Sequence, residues 1–280
     1  MKTRSFGASG VEVPIIGQGT WEMEGDRRNA VTALRRGIDL GMTHIDTAEM
    51  YGSGRVEKLI AEAIEGRRDE VFLVSKVLPT NASREGTVRA CERSLRRLKT
   101  DRLDGYLLHW EGSYPLEDTV AAFEQLRAEG KIRSWGVSNF DERAMQRVVA
   151  LAGAPSVACD QVCYHIRERA VEPDVIPFCR EQGIAIVAYS PFGSGSFPSP
   201  GSPGGQALAD IAAARGASPH AVALAFLCRD EAVFAIPKSA RVDHVEENAV
   251  AGDLSLDHDE IARLDAVFPL GPKRRTLPMI

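Results

Sequence analysis

Residues 71–98 read VFLVSKVLPTNASREGTVRACERSLRRL, a short apolar run followed by an amphipathic stretch. The run 71–74 is apolar throughout, which is typical of a parallel strand that is buried on both faces. In the stretch 84–98, apolar or small residues recur at helical spacing, at Val88, Cys91, Leu95 and Leu98. The segment therefore predicts a strand and a following helix, the unit from which parallel sheets are built.

The same unit recurs along the whole chain. The predicted strands are 15–16, 43–45, 71–74, 103–108, 132–137, 157–159, 184–188 and 233–236, and the helices that follow them are 28–40, 55–65, 84–98, 116–128, 142–151, 171–181, 206–215 and 242–249. Eight such units without a composition break predict a single α/β domain over residues 1–280, a closed (β/α)8 or TIM barrel. An open doubly wound sheet is the alternative architecture.

Three features lie outside the eightfold plan. The segments 3–6 and 11–14 flank a glycine-containing turn and predict an N-terminal β-hairpin that caps the bottom of the barrel. Ser218 followed by Pro219 begins an additional helix after the seventh strand, and 257–260 begins a last helix with capping-box spacing. The stretch 193–205, rich in glycine, serine and proline, predicts a long loop after the seventh strand, where the loops of barrels carry function.

Composition and charge narrow the class of protein. Of 280 residues, 44% are hydrophobic and 26% charged, and the net charge of −5 gives no positive field for nucleic acid or an anionic membrane. No apolar run approaches the ~18 residues of a membrane-spanning helix, and the N-terminus lacks the apolar core of a secretory signal, so a cytoplasmic location is expected. The five scattered cysteines predict neither disulfides nor a metal site. A small-molecule partner is favoured, and a monomer is expected.

Polar residues follow the predicted strands, at the end of a barrel where catalytic groups lie. They are Asp46 and Tyr51 after the second strand, Lys76 after the third, His109 after the fourth, Ser138 and Asn139 after the fifth, Gln161 after the sixth, Tyr189 and Ser190 after the seventh, and Lys238 and Ser239 after the eighth. Each of these residues has an ordinary structural explanation when it is taken singly. Together, at successive strand ends, they indicate a catalytic site.

The first four of these residues suit proton transfer to a carbonyl oxygen. Tyr51 is too weak an acid at pH 7 unless a cation stabilises its phenolate, and Lys76 can supply that cation. Asp46 would hold Lys76 charged, and His109 would hydrogen-bond the substrate oxygen. Because the set lacks a good covalent nucleophile, hydride from a nicotinamide is the expected source of electrons. A Schiff-base aldolase that uses Lys76 is an alternative, although a neighbouring carboxylate argues against it by raising the pKa of the lysine.

Seven ordered motifs resemble those of the aldo-keto reductase superfamily. They are Gly17-Gln18-Gly19-Thr20-Trp21, Asp46-Thr47-Ala48-Glu49-Met50-Tyr51-Gly52, Ser75-Lys76-Val77, Leu107-Leu108-His109-Trp110, Gly136-Val137-Ser138-Asn139-Phe140, Ala188-Tyr189-Ser190-Pro191 and Ile236-Pro237-Lys238-Ser239. The resemblance extends from the N-terminal hairpin to Asn248. It implies an NADPH-dependent reductase of aldehydes or ketones, whose catalytic tetrad would be Asp46, Tyr51, Lys76 and His109, with Tyr51 as the proton donor.

The resemblance also implies a set of cofactor-binding residues. Tyr189 would stack on the nicotinamide, and Ser138, Asn139 and Gln161 would hold its carboxamide. Ser190 and Pro191 belong to the same set, and Gly193 begins a loop that would fold over the pyrophosphate. Lys238 and Ser239 would bind the 2′-phosphate, and Glu247 and Asn248 the adenine.

The remaining implications concern cofactor choice and substrate. Arg241, three residues after Lys238, offers a planar fork that suits phosphate. His244 stands where many members of the superfamily carry an arginine, which leaves NADH open as a second cofactor. Trp21 and Trp110 would form apolar walls of a substrate pocket. A barrel that binds NADPH to sense redox state or to regulate a partner, with slow turnover, is the alternative function.

Overall fold

A computed structural model describes residues 1–272, 274 and 276–279, and in it an N-terminal hairpin precedes an eight-stranded parallel sheet. The hairpin pairs β1 (Thr3–Ser5) with β2 (Glu12–Pro14) in antiparallel register. The sheet strands are β3 (Gln18–Gly19), β4 (His44–Asp46), β5 (Phe72–Val77), β6 (Leu103–Leu108), β7 (Ile132–Ser138), β8 (Val157–Cys163), β9 (Ala185–Tyr189) and β10 (Val233–Ala235). They lie side by side in chain order, as repeated strand-helix units require.

Backbone hydrogen bonds join the first sheet strand to the last. The amide of Gly17 donates to the carbonyl of Ala235 at 2.8 Å, and the amide of Ala235 donates to the carbonyl of Ile15 at 2.9 Å. Two residues further along the chain, the amide of Gly19 donates to the carbonyl of Pro237 at 3.1 Å. The sheet is therefore curled into a barrel, and the predicted α/β TIM architecture is confirmed over the open doubly wound sheet.

Ten α-helices within the described residues surround the sheet. They are α1 (Arg27–Asp39), α2 (Arg55–Ala63), α3 (Arg84–Leu98), α4 (Leu116–Ala128), α5 (Glu142–Ala152), α6 (Val175–Glu181), α7 (Pro203–Arg215), α8 (Pro219–Leu227), α9 (Val242–Val250) and α10 (His258–Val267). Serine and aspartate caps fix several of their starts. The Ser218 hydroxyl accepts from the amide of Ala221 at 3.1 Å, and Asp257 and Glu260 form a capping box. The two additional helices, α8 and α10, therefore begin where the sequence predicts.

Several element boundaries differ from the prediction, and three elements begin three or four residues later or earlier than predicted. Helix α7 begins at Pro203 rather than 206, because Ser202 caps it and proline suits the first helical position, so the loop before it is shorter than 193–205. Helix α6 begins at Val175 rather than 171, because Pro173 disfavours helical backbone in the residue before it. The first ladder forms at Gln18–Gly19 rather than 15–16, and Ile16 makes only an isolated bridge to Ala235.

The hairpin packs against the amino ends of the barrel strands. The ring of Phe6, which follows β1, is 1% exposed and lies 4.9 Å from Phe72, 5.1 Å from Phe234 and 5.6 Å from His44, measured between ring centroids.

The five cysteines are free and buried. None of the helices among the described residues is long and apolar enough to cross a bilayer.

His44 is a buried polar residue in this aromatic cluster, and it predicts an acid dependence of stability. Neither ring nitrogen has a hydrogen-bond partner among the described residues, and burial lowers the pKa of His44 to about 4. In the unfolded chain the pKa is about 6.5, so the unfolded state takes up a proton first as the pH falls. The contribution of His44 to the free energy of unfolding is therefore full above pH 6.5 and declines below it, by ~3 kcal/mol once the pH falls below 4.

The variant His44→Leu tests this expectation. Urea unfolding between pH 4.5 and 7.5 measures how the free energy of unfolding depends on pH. Below pH 6.5 this dependence should be weaker in the variant by the uptake of about one proton, ~1.4 kcal/mol per pH unit. At pH 7.5 the variant should be about as stable as the wild type, because the removed ring leaves no hydrogen bond unmade. An unchanged slope would mean that His44 takes up a proton as readily in the folded protein as in the unfolded chain.

Candidate active site

A cavity of about 650 Å³ opens at the carboxyl ends of the barrel strands. Among the predicted site residues, its lining contains Trp21, Asp46, Tyr51, His109, Trp110, Ser138, Asn139, Gln161, Tyr189, Ser190, Pro191 and Lys238. The volume is that of a site for a small organic ligand or cofactor. Most of the predicted residues thus meet at one cavity, at the end of the barrel that carries catalytic groups.

The buried side chain of Lys76 joins Asp46 to Tyr51 beneath this cavity. Its ammonium nitrogen lies 2.5 Å from Oδ1 of Asp46 and 3.4 Å from the hydroxyl oxygen of Tyr51. It also donates to the carbonyl of Thr47 at 2.9 Å, and the amide of Gln161 donates to Oδ2 of Asp46 at 2.8 Å. Lys76 and Asp46 are 0% and 1% exposed, so the ion pair is shielded from water. These contacts place a cation, a carboxylate and a phenol in one connected unit.

Burial and charge act in opposite directions on this unit. Burial disfavours the ammonium form of Lys76, but Asp46 and Tyr51 together outweigh it and raise the pKa of Lys76 above its ordinary value. Burial raises the pKa of Tyr51, and the charge of Lys76 offsets only part of the rise. The expectation that Lys76 makes Tyr51 more acidic than a free phenol is therefore wrong for the net pKa. Tyr51 holds its proton at neutral pH, and Lys76 reduces the cost of releasing it.

His109 lies beside Tyr51 as a neutral imidazole. The two ring centroids are 5.9 Å apart in an edge-on arrangement. Burial, and after it the charge of Lys76, lowers the pKa of His109 to about 3. Its Nδ1 atom is buried and has no hydrogen-bond partner among the described residues. A neutral imidazole at the cavity can donate a hydrogen bond to a ligand oxygen, but it does not supply a proton at neutral pH.

A second polar cluster extends from the ends of β7, β8 and β9. The Tyr189 hydroxyl donates to Oδ1 of Asn139 at 2.8 Å, and Nδ2 of Asn139 donates to the Ser138 hydroxyl and to the carbonyl of His109, both at 3.1 Å. The Ser138 hydroxyl in turn donates to the carbonyl of Gln161 at 2.8 Å. The side chains of Ser138, Asn139 and Tyr189 are therefore fixed where they line the cavity.

This cluster has the chemistry that a nicotinamide dinucleotide needs. Amide and hydroxyl side chains beside the aromatic ring of Tyr189 suit a flat ring that carries an amide. Lys238, which also lines the cavity, suits a phosphate. Asn139 and Ser190 hold positive φ angles of 65° and 48°, a conformation that is unfavourable for residues other than glycine and that clusters at ligand-binding sites. The residues that the structure brings together therefore fit the cofactor that the sequence predicts.

Five of the predicted cofactor residues lie outside the lining of the cavity. They are Gly193, Ser239, Arg241, Glu247 and Asn248. The Ser239 hydroxyl accepts from the amide of Arg241 at 3.0 Å, and the guanidinium of Arg241 pairs with Asp243. Asn248 is buried and Glu247 is exposed on α9. The role of these five residues in binding a dinucleotide stays a prediction.

Aromatic and apolar side chains form the walls of the cavity. Trp21 is 41% exposed at its rim, and the rings of Trp110 and His109 lie 4.9 Å apart. Sequence reasoning missed four other apolar lining residues, Met50, Phe192, Ile236 and Met279. Three of them are next to or within the quoted motifs, but no sequence pattern indicates Met279, which tertiary folding alone brings to the cavity.

Glu49 is a supporting residue that sequence reasoning also missed. Its Oε1 accepts from the amide of Leu78 and from Nδ2 of Asn81, both at 2.9 Å, and its Oε2 pairs with Arg93 at 3.2 Å. Glu49 is 7% exposed and stands two residues before Tyr51. It therefore ties the loop that carries Tyr51 to the segment after β5.

The chain is similar to known proteins in both sequence and structure. Residues 15–268 match the model of the aldo/keto reductase family. A methylglyoxal reductase of Escherichia coli is 46% identical over 273 residues, which are 96% of this chain and 96% of that protein. A glyoxal reductase of Bacillus subtilis is 32% identical and covers 92% of this chain and 90% of its own length. A crystal structure of an aldo/keto reductase from Klebsiella pneumoniae in complex with NADP and acetate is 43% identical, covers 100% of both chains and superposes with a TM-score of 0.93.

Proposed function

Because the chain belongs to the aldo/keto reductase family, we propose that it reduces small, reactive 2-oxoaldehydes of the methylglyoxal type. It is an oxidoreductase that converts a carbonyl compound to an alcohol, and its cofactor is NADPH. The relatives that reduce methylglyoxal and glyoxal support the substrate class. The observation that carries the proposal is the contact of Lys76 with both Asp46 and Tyr51 under a cavity with tryptophan walls.

The chain's own residues would hold the carbonyl oxygen and protonate it. Bound NADPH supplies the hydride that reduces the carbonyl carbon. Neutral His109 donates a hydrogen bond to the carbonyl oxygen, and Tyr51 transfers its phenolic proton to the same oxygen as negative charge develops there. The ammonium of Lys76, 3.4 Å from that phenol, stabilises the phenolate that remains. Asp46 keeps Lys76 charged and in place.

The two other functions from the sequence have less support. A Schiff-base aldolase needs a neutral lysine that a carbonyl can reach, whereas Lys76 is 0% exposed and Asp46 helps to raise its pKa. A redox-sensing barrel with slow turnover is not favoured, because the relatives described above are reductases.

A substrate scan tests the proposal. NADPH oxidation followed at 340 nm should give a kcat/KM for methylglyoxal that exceeds that for an aldose or a diketo acid by at least about a hundredfold, since discrimination of this size corresponds to ~3 kcal/mol of transition-state binding. Aromatic aldehydes should fall between, because the tryptophan walls accept apolar groups. A higher kcat/KM for the aldose would contradict the proposed substrate class while leaving carbonyl reduction intact.

Lys238 supplies a separate prediction about cofactor choice. We expect Lys238→Met to weaken NADPH about tenfold to a hundredfold and NADH less than twofold, because a charge-assisted bond to phosphate contributes ~1.5–3 kcal/mol. Cofactor dissociation constants from fluorescence titration measure both effects. Lys131→Met, which removes a cation outside the cavity, is the control. Equal weakening of NADPH and NADH would exclude Lys238 from the 2′-phosphate site.

The proposal also covers the domain organisation, oligomeric state, location and partners of the enzyme. We infer a single-domain, monomeric enzyme in the cytoplasm that acts on small molecules and does not bind nucleic acid. The one eight-stranded sheet supports the single domain, and the net charge of −5 argues against nucleic-acid binding. Size-exclusion chromatography with light scattering at micromolar concentration checks the oligomeric state.

A further inference from the structure

A second concave site lies on the outside of the barrel, in the layer formed by α1, α2 and α3. It is lined by Arg27, Lys58, Arg93, Arg96, Arg97 and Lys99, and we refer to these six residues as the basic groove. Its volume is about 570 Å³, and each of its lining residues is a cation. The chain as a whole carries a net charge of −5, so such a concentration of positive charge is a local feature.

Tertiary packing assembles the basic groove from three helices. Arg93, Arg96 and Arg97 stand at spacings of three and four residues on α3, so their side chains share one face of that helix. Lys99 follows directly, at the left-handed residue that ends α3, with φ of 52°. Lys58 from the neighbouring α2 completes the set with Arg27.

Two of the groove arginines are anchored from below by buried carboxylates. Arg97 pairs with Glu57 at 3.0 Å, and Arg93 pairs with Glu49 at 3.2 Å. The side chains of Glu57 and Glu49 are 0% and 5% exposed, whereas both arginines reach the groove surface. Such anchoring fixes the guanidinium positions before a ligand binds, which reduces the entropy lost on binding.

The other groove cations are not balanced in this way. Arg27 pairs with Glu62 at the surface, at 2.6 Å. Lys58, Arg96 and Lys99 are exposed, and none of them forms an ion pair with the described residues. Like charges at helical spacing repel each other, and an anion bound among these three cations would reduce that repulsion.

We propose that the basic groove is a binding site for a compact oligophosphate, distinct from the cofactor cavity. Guanidinium groups bind phosphate oxygens in pairs, and several phosphates in a row match a set of anchored and free cations in one concavity. A short oligophosphate fits the groove better than nucleic acid does, because the cations form one compact patch on an acidic protein rather than an extended stripe.

Calorimetric titration of the NADP+-saturated protein with inorganic tripolyphosphate tests the proposal. NADP+ saturation removes the competing phosphate site at Lys238, and binding is read without turnover, so the result does not depend on the proposed activity. We expect one site per chain that weakens with added salt. The double variant Lys58→Gln, Arg96→Gln should weaken it at least tenfold, since two charge-assisted contacts are lost.

The double variant Arg84→Gln, Arg143→Gln is the matched control, because it removes two exposed cations elsewhere. It should change the affinity less than twofold. Equal weakening by both double variants would overturn the proposal, because the ligand would then respond to net charge alone. If tripolyphosphate binds the cofactor-free protein but gives no binding heat with the NADP+-saturated protein, the binding belongs to the cofactor site. Tighter binding of a DNA duplex than of tripolyphosphate would replace the proposed ligand class.

Discussion

Tyr51→Phe should reduce kcat for carbonyl reduction by about a thousandfold, since a positioned general acid contributes ~10²–10⁴-fold. The substitution removes one oxygen atom, which lies 3.4 Å from the ammonium of Lys76 and belongs to the cavity that would hold the carbonyl. His109 cannot take over as the acid, because burial and the charge of Lys76 lower its pKa to about 3. The proton source is therefore lost, while the ring that shapes the cavity stays.

Two measurements separate this loss from a structural defect. The dissociation constant of NADPH should stay within about twofold of wild type, because the removed hydroxyl contacts Lys76 and not the cluster of Ser138, Asn139 and Tyr189. Tyr114→Phe, at a tyrosine that is 43% exposed, should retain full activity. A Tyr51→Phe enzyme with kcat within tenfold of wild type would show that another group donates the proton.

Lys76→Met should destabilise the protein by ~3–5 kcal/mol and also lower kcat by about a hundredfold or more. Removing the ammonium group leaves the carboxylate of Asp46, which is 1% exposed, with Gln161 as its remaining side-chain donor. An uncompensated buried charge is far more costly than a lost surface ion pair. The loss of activity has a different cause, because the phenolate of Tyr51 would form without a neighbouring cation.

The double variant Asp46→Asn, Lys76→Met distinguishes these two effects. It removes both charges, so urea unfolding should show that most of the lost stability returns, whereas kcat should stay low. Lys131→Met, which removes a cation that is 30% exposed beside Glu92 and Glu129, should cost less than ~1 kcal/mol. If Lys76→Met were as mild as Lys131→Met, the buried pair would contribute little to folding and the proposed positioning role of Asp46 would lack support.

Local patterns were sufficient to predict the architecture. Burial on both faces makes parallel strands apolar, so segments such as 71–74 and 184–188 are visible in the sequence as strands. Caps are equally local, since Ser218 and Asp257 act on amides three residues away. The start of α7 was missed because the glycines and prolines of 193–205 suggest a loop, although Pro203 and its buried glycine neighbours suit a helix start packed on Phe268.

The candidate site was also predictable in outline, because strand ends are marked in the chain and the barrel brings them together. The sign of the Tyr51 pKa shift was not predictable. Composition and spacing indicate that Lys76 is near, but they do not indicate how much water the barrel excludes around Tyr51, and burial is the larger effect.

The sequence by itself therefore determined the eightfold alternation, the helix starts set by local caps and the residue types at the barrel mouth, because each depends on neighbours a few positions away. Only the tertiary structure decided the protonation of Tyr51 and His109, the place of Met279 at the cavity and the assembly of the basic groove from three helices. These properties depend on burial and on charges that approach through space from distant parts of the chain, and no local pattern records either.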